Sequence, residues 1–143
     1  MPVRTAAQKR AERKTKYNAL LAACPSRKLL QLVSSKWVPL VLCALAREDE
    51  ESGNVEARAL RYSELTREVS GVSQKVLTQT LRTLERDGLL TRTVTPTVPV
   101  TVTYELTGLG LSLHLVIREL KEWAEDHMDD VLESRSSYDS SNL

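Results

Sequence analysis

The stretch Ser73–Leu90, SQKVLTQTLRTLERDGLL, lays two faces on one helix. At 100° per residue Leu77, Leu81 and Leu84 fall together and form a core face. Lys75, Thr78, Gln79, Arg82 and Arg86 recur at i, i+3, i+4, i+7 and i+11 and form a stripe on the far side. Ser73 offers an N-cap oxygen, and Gly88 stands where helices commonly stop. Taken alone, such a stripe is the wet face of an amphipathic helix more often than it is a binding surface. The elements around it have to decide between the two.

Upstream, SGVS (Ser70–Ser73) predicts a tight turn, with Gly71 suited to a positive φ. Ser63 is a candidate cap for a helix over Glu64–Val69, and ALRY before it suggests a short strand. Downstream, LLTRTV and VPVTVTYEL are β-branched runs and predict two strands. TPTVP lies between them as a tip held open by Pro96 and Pro99. Further toward the N-terminus, REDEESGNVEAR (Arg47–Arg58) is acidic, contains Gly, and is expected to be a solvated loop. Ser34 and Ser35 are candidate caps for a helix bearing Trp37, Leu40, Val41 and Ala44. Pro39 is tolerated there, because the first helical N–H groups have no partner to lose. LLQLV (Leu29–Val33) suggests a short buried helix, and Met1–Lys16 a flexible arm or the start of a helix running to about Ala23.

Thr107 is expected to cap a last helix over Gly108–Leu132. Its apolar residues exceed what a lone peripheral helix can bury. That points to a second copy of the same helix across a homodimer seam, with Leu113, Val116, Ile117, Leu120, Trp123, Ala124, Met128 and Val131 at the interface. The Ser-rich end SRSSYDSSNL is expected to be disordered. The expected organisation is a basic arm or helix (1–23), a central domain (24–106), a dimerisation helix (107–133) and a tail (134–143).

The order helix, short strand, helix, tight turn, helix, strand, Pro-tipped loop, strand is that of a winged helix-turn-helix, mainly α with a small β wing (α+β). In that setting the polar stripe gains a use. A helix fits the major groove of DNA, where Arg and Lys reach guanine or phosphate, Gln pairs with adenine and Thr touches thymine. Ser73 and Gln74 sit at the helix N-terminus, where N–H groups favour a phosphate. Arg92, with Thr93, Thr95 and Thr97, could reach the minor groove or the backbone from the wing. The rival reading is a winged-helix protein-interaction module without specific DNA binding. It gains if Lys75, Arg82, Arg86 and the N-terminal basic residues point in different directions.

Charge supports the first reading through its distribution. Met1–Leu42 holds nine basic residues against Glu12, and Glu119–Glu133 holds seven acids against Lys121, although the net charge is only +1. No transmembrane run or signal peptide is expected. The two cysteines are too few for a disulfide scaffold and suggest a reducing cytoplasm. Catalysis has little support. His114 and His127 are far from metal-ligand spacing, with His114 expected to face solvent and His127 to join the seam. No metal, cofactor or membrane partner is expected. Cys43, among leucines, reads as a small core hydrophobe. For Cys24 two readings stand. Arg27 and Lys28 follow closely, and nearby positive charge favours a reactive thiolate. A purely structural cysteine fits slightly better.

The chain also resembles the HxlR family of bacterial winged-helix regulators. The resemblance lies in Cys24–Pro25, Lys36–Trp37, LRYSEL (Leu60–Leu65), GVSQKVLTQTLRTLERDGLLTR (Gly71–Arg92), Pro99, YELT (Tyr104–Thr107) and LKEW (Leu120–Trp123), and covers roughly Cys24–Met128. It implies dimeric DNA-binding regulators with an interface of terminal helices, recognition by the Ser73–Asp87 helix plus the wing, and in some members a sensor cysteine at the place of Cys24. The acidic Arg47–Arg58 segment and the basic segment before Cys24 are longer than the family pattern. The latter could be a DNA-contacting arm or an extension of the dimer interface.

Overall fold

The computed structural model describes residues 3–16 and 24–142. The chain divides into two compact units, 1–38 and 39–143. The first holds α1 (Ala6–Lys16) and α2 (Pro25–Leu32), and α3 (Trp37–Ala44) begins at its end. The second holds the rest of α3, a hairpin of β1 (Ala46–Glu48) and β2 (Val55–Ala57), then β3 (Leu60–Arg61), α4 (Tyr62–Glu68), α5 (Gln74–Arg86), β4 (Leu90–Thr95), β5 (Thr101–Leu106) and α6 (Gly108–Ser141). A three-stranded antiparallel sheet in the order β3-β5-β4 joins the wing to the body. No described helix is long and apolar enough to cross a membrane.

In the first unit, of the two N-terminal alternatives, arm or helix, the described residues take the helix, as α1, and its expected continuation through 17–23 lies outside the described residues. The Leu29–Val33 segment is helical but not buried. Leu29 and Leu30 are exposed, and no side chain of this eight-residue helix is buried. Cys24 is fully buried. Ser35 Oγ accepts the N–H of Trp37, the first residue of α3, at 3.3 Å.

The core of the second unit is almost purely aliphatic. Val41, Leu42, Leu45, Leu65, Leu77, Leu84 and Leu90 are all but inaccessible. Each such side chain contributes about 1.5–3 kcal/mol by leaving water. Leu40, expected on the apolar face of α3, is instead exposed, and Cys43 is half-buried, with burial pushing its thiol pKa up.

Two expected loops and caps take other forms. Arg47–Arg58 is mostly a hairpin, with Ala46 opposite Ala57, Arg47 opposite Glu56 and Glu48 opposite Val55. Opposite charges face each other across the strands at Arg47 and Glu56, which favours pairing. Asp49 organises the turn: its carboxylate accepts from the N–H of Glu51 and Ser52, and Gly53 takes φ +70. Those backbone hydrogen bonds, Glu51's first, hold the Asp49 carboxyl below its ordinary pKa. Arg58 then fastens the hairpin to the end of α3, its Nε donating to the Ala44 carbonyl at 2.9 Å. Ser63 does not cap α4 but lies inside it. The cap is formed at Arg61, whose N–H donates to Glu64 Oε1 at 3.0 Å.

The last helix also departs from expectation. Residues 134–141 are helical rather than disordered, and α6 runs to Ser141 with Asn142 N–H bonded to the Tyr138 carbonyl. Polar composition alone misses a segment that simply continues an established helix, where each added residue needs no new nucleus. Within α6, His114 is buried rather than solvent-facing, and its Nδ1 has no hydrogen-bond partner among the described residues. Ile117, expected on the dimer seam, is already buried within one chain. Arg118, one turn on from His114, donates to Glu48 of β1 at 3.0 Å and ties α6 to the hairpin.

His114 has its pKa lowered from the ordinary 6.5 by burial first and by the Arg118 charge second, with Glu48 opposing and Lys121 adding. The folded state therefore refuses a proton that the unfolded chain accepts. Stability should be fully present above pH 6.5 and fall as the pH drops below it. Urea titrations in steps of about half a pH unit between about pH 7.5 and about pH 5 check this. The midpoint of wild type should decline across that window, and His114→Phe should decline less.

Candidate nucleic-acid interface

The helix-turn-helix forms as the glycines and caps demand. Gly71 adopts φ +83 in the turn and Gly88 φ +75 after α5, both open to glycine at little cost. Ser73 Oγ accepts the Val76 N–H at 3.2 Å. Leu77, Leu81 and Leu84 are buried, and Thr80 beside them satisfies its hydroxyl on the Val76 carbonyl at 2.7 Å. With that face turned inward, the polar stripe must face out.

It does so as one surface. Gln74, Lys75, Thr78, Gln79 and Arg82 line a single open concavity on the outer side of α5. Lys75, Gln79, Arg82 and Arg86 are exposed. A second groove, between α5 and the wing, is lined by Thr78, Leu81, Arg82, Glu85, Arg92 and Tyr104. Thr78 and Arg82 belong to both, so the helix surface and the wing meet at these two residues. Arg86 lies on the same stripe, beyond both grooves.

The wing sorts the remaining candidates. Side chains alternate along a strand, so Arg92 shares a face with Leu90 and Val94, and Thr93 and Thr95 share the opposite one. Arg92, opposite Tyr104 in the ladder, is thus turned toward α5. Thr93 and Thr95, opposite Thr103 and Thr101, are turned away from it. Thr97 is held within the tip, donating to the Pro99 carbonyl at 2.7 Å and lying 3.0 Å from Thr101 Oγ1. Ser73 is engaged as the cap, which leaves Gln74 and the first free N–H groups of α5 as the available donors there.

Two residues at this surface carried no mark in the sequence reading. Tyr62, at the start of α4, donates its hydroxyl to the Gln74 carbonyl at 3.0 Å and lies 3.4 Å from Thr78 Oγ1. It pins the N-terminal turn of α5. Its place in LRYSEL lay in view, but nothing local links it to a helix twelve residues on. Glu85 brings an acid into the α5–wing groove beside Arg82 and Arg92, and a carboxylate in such a place can accept from cytosine N4. Among the described residues no group of His, Cys, Asp and Glu could hold a metal ion.

Comparison with known proteins agrees with this geometry. The HxlR-like helix-turn-helix family profile matches residues 32–131. An uncharacterized HTH-type transcriptional regulator of Escherichia coli, YtfH, is 40% identical over 118 residues, which are 82% of this chain and 86% of that one. The solved structure of the transcriptional regulator YtfH of Salmonella typhimurium is 39% identical, covers 83% of this chain and 97% of its own, and superposes with a TM-score of 0.66. The redox regulator HypR in its reduced form is 32% identical, covers 77% and 98%, and has a TM-score of 0.63. A profile match across α3 to α6, with relatives of this identity over most of both chains, shows that this chain belongs to the HxlR-like helix-turn-helix family.

Proposed function

We propose that this chain is a sequence-specific DNA-binding transcription regulator that acts as a homodimer on an inverted-repeat operator. The observation that carries the reading is the single outward surface of Gln74, Lys75, Thr78, Gln79 and Arg82, continued to Arg92 of the wing. Groups able to read base edges and groups able to hold phosphate stand together on a helix whose other face is fixed in the core. Of the residues whose divergence would favour the interaction-module rival, Lys75, Arg82 and Arg86 share one stripe of α5. In this reading Arg82 and Gln79 read bases, while Lys75, Arg86 and Arg92 hold phosphates. Two copies of α5 would enter successive major grooves about 34 Å apart.

The dimer reading is supported by α6. Val116, Leu120 and Trp123 are 51%, 61% and 54% exposed. With Leu109, Leu113 and His127 they follow alternating steps of three and four residues, the spacing of a helix–helix seam. His127 rests against Trp123 with ring centroids 4.9 Å apart. Tyr138, exposed and on the same line, carries the stripe beyond Leu132. Ala124, Met128 and Val131 flank it and are partly covered.

A redox role for Cys24 is the second part of this proposal. It is supported by the likeness to a redox regulator and by the position of Cys24 at the head of α2, at the N-cap with no side-chain capping hydrogen bond. Because its side chain is buried, an oxidant would reach it through local opening.

Three measurements follow from these assignments. In fluorescence anisotropy, a duplex from upstream of the chain's own gene should bind about a thousandfold tighter than a scrambled one. Arg82→Ala should cost about 1–3 kcal/mol on the first duplex and relax specificity at one position per half-site. An equal loss on both duplexes would remove Arg82 from base readout. In light scattering after size exclusion, wild type should be a dimer and Trp123→Glu a monomer, and a variant that stays dimeric would place the seam elsewhere. Diamide should weaken operator binding of wild type and leave Cys24→Ser unaffected; an unchanged diamide response in Cys24→Ser would eliminate Cys24 as the sensor.

A further inference from the structure

Among the described residues, the basic segment at the N-terminus is a capped helix, Ala6–Lys16, with no large apolar side chain, which bears on the two uses its sequence leaves open. Thr5 and Gln8 form a reciprocal cap: Thr5 Oγ1 accepts the Gln8 N–H at 3.1 Å, and Gln8 Oε1 accepts the Thr5 N–H at 2.9 Å. The helix that follows is exposed at every described side chain from Ala6 to Lys14. Its only apolar residues are Ala6, Ala7 and Ala11. A helix–helix seam needs large apolar side chains at heptad spacing, and α1 has none. A helix lying in a membrane surface needs an apolar face to insert, and α1 lacks that too.

What α1 does have is cations on one side. Lys9, Arg10, Arg13 and Lys14 fall within about 140° of the helix circumference at 100° per residue. They form two like-charged i,i+4 pairs, Lys9 with Arg13 and Arg10 with Lys14, an arrangement that destabilises a free helix. The helix's one acid, Glu12, is engaged by Arg4, and none of the four cations is ion-paired among the described residues. A helical stretch whose described side chains are all exposed gains little from tertiary packing and depends on its own marginal stability. Its self-repulsion has no compensation within the described chain, and a polyanion would supply it. α1 lies ahead of residues 32–131, the region that the family profile matches.

We propose that α1 is a second DNA-binding element, a helical arm that lays Lys9, Arg10, Arg13 and Lys14 on the phosphate backbone of the DNA held by the winged helix. This rests on the DNA-binding reading above. Phosphates carry no sequence information, so the arm adds affinity and salt dependence without adding specificity. Double-stranded DNA is the polyanion this reading already places at the protein, and its charge density of one phosphate per about 1.7 Å of axis matches four cations spread over about 7.5 Å of helix.

The test uses the full chain with Lys9→Gln, Arg10→Gln, Arg13→Gln and Lys14→Gln combined. Binding to the native and scrambled duplexes is measured by anisotropy across a salt series. The arm predicts that the slope of log affinity against log salt becomes shallower by about 7 for the dimer, since its two arms lose eight phosphate contacts and each removes about 0.9. The ratio of native to scrambled affinity should stay as in wild type. A variant carrying Arg10→Lys and Arg13→Lys keeps the charges and should keep the wild-type slope. An unchanged slope in the Gln variant overturns the arm while leaving the winged-helix reading intact, provided Arg82→Ala still loses discrimination. A shift of the Gln variant from dimer to monomer would overturn the arm in favour of an interface role. Loss of binding to anionic phosphatidylserine vesicles with an unchanged DNA slope would overturn it in favour of a membrane surface. If wild type binds neither duplex at low salt, both proposals fall together.

Discussion

The junction between Leu89 and the start of α6 is the constraint on which the second unit depends. The Thr107 N–H donates to the Leu89 carbonyl at 3.1 Å, and the Thr107 hydroxyl donates to the Gly88 carbonyl at 2.7 Å. The same hydroxyl accepts the Gly110 N–H at 3.1 Å and so caps α6. A Cβ added at Gly110 would fall on the Leu89 carbonyl oxygen, so only glycine allows the helix to approach this closely. Four features meet here: the end of α5, the entry to β4, the exit from β5 and the first turn of α6. The outward face of α5 and the helix α6 are thereby held in one rigid relation. In a dimer built on α6, that relation would set the distance between the two copies of α5.

Energy is divided unevenly between holding this shape and using it. Burial of aliphatic side chains, at about 1.5–3 kcal/mol each, far outweighs the surface ion pairs, which are worth about 0–1 kcal/mol each. Arg4–Glu12, Arg61–Glu64 and Lys121–Glu125 all lie in solvent. The polar residues of α5 therefore contribute little to stability and are free to serve another surface. The structure keeps them in place by other means. Leu77, Leu81 and Leu84 fix the rotation of the helix about its axis, and Tyr62 fixes its first turn. A side chain meant for a base edge has to be placed this closely, because misplacement loses the hydrogen bond and leaves its desolvation uncompensated.

The buried polar groups on α6 run against this economy. His114 and Arg118 sit one turn apart, each with a nitrogen that has no partner among the described residues, and Arg118 turns its guanidinium to Glu48. Neither residue could be placed from its own neighbourhood. The acidic hairpin that covers this side of α6 was expected to be a solvated loop. With the hairpin folded, a histidine on the helix becomes interior.

Local chemistry was legible wherever one residue or its near neighbours decide the outcome. The turn at Gly71, the cap at Ser73, the stop at Gly88, the two wing strands, the cap at Thr107 and the amphipathic α5 all follow from backbone sterics, capping and periodicity. So did the winged helix-turn-helix order, because the signals come in an uninterrupted series. What the linear chain left undecided were outcomes set by distant partners. Arg47–Arg58 became a hairpin because Arg58 could anchor on Ala44 and Asp49 could close the turn. The cap of α4 moved from Ser63 to Arg61 and Glu64. Arg92 parted from Thr93 and Thr95 only once the ladder with β5 assigned each to a face. Ile117 went to the core rather than the seam because α6 packs against β2 and β5. Residues 134–141 stayed helical because the helix before them was already formed. Periodicity and capping act over a few residues and can be read from neighbours, whereas burial, strand register and the partner of a charge depend on what the fold brings alongside.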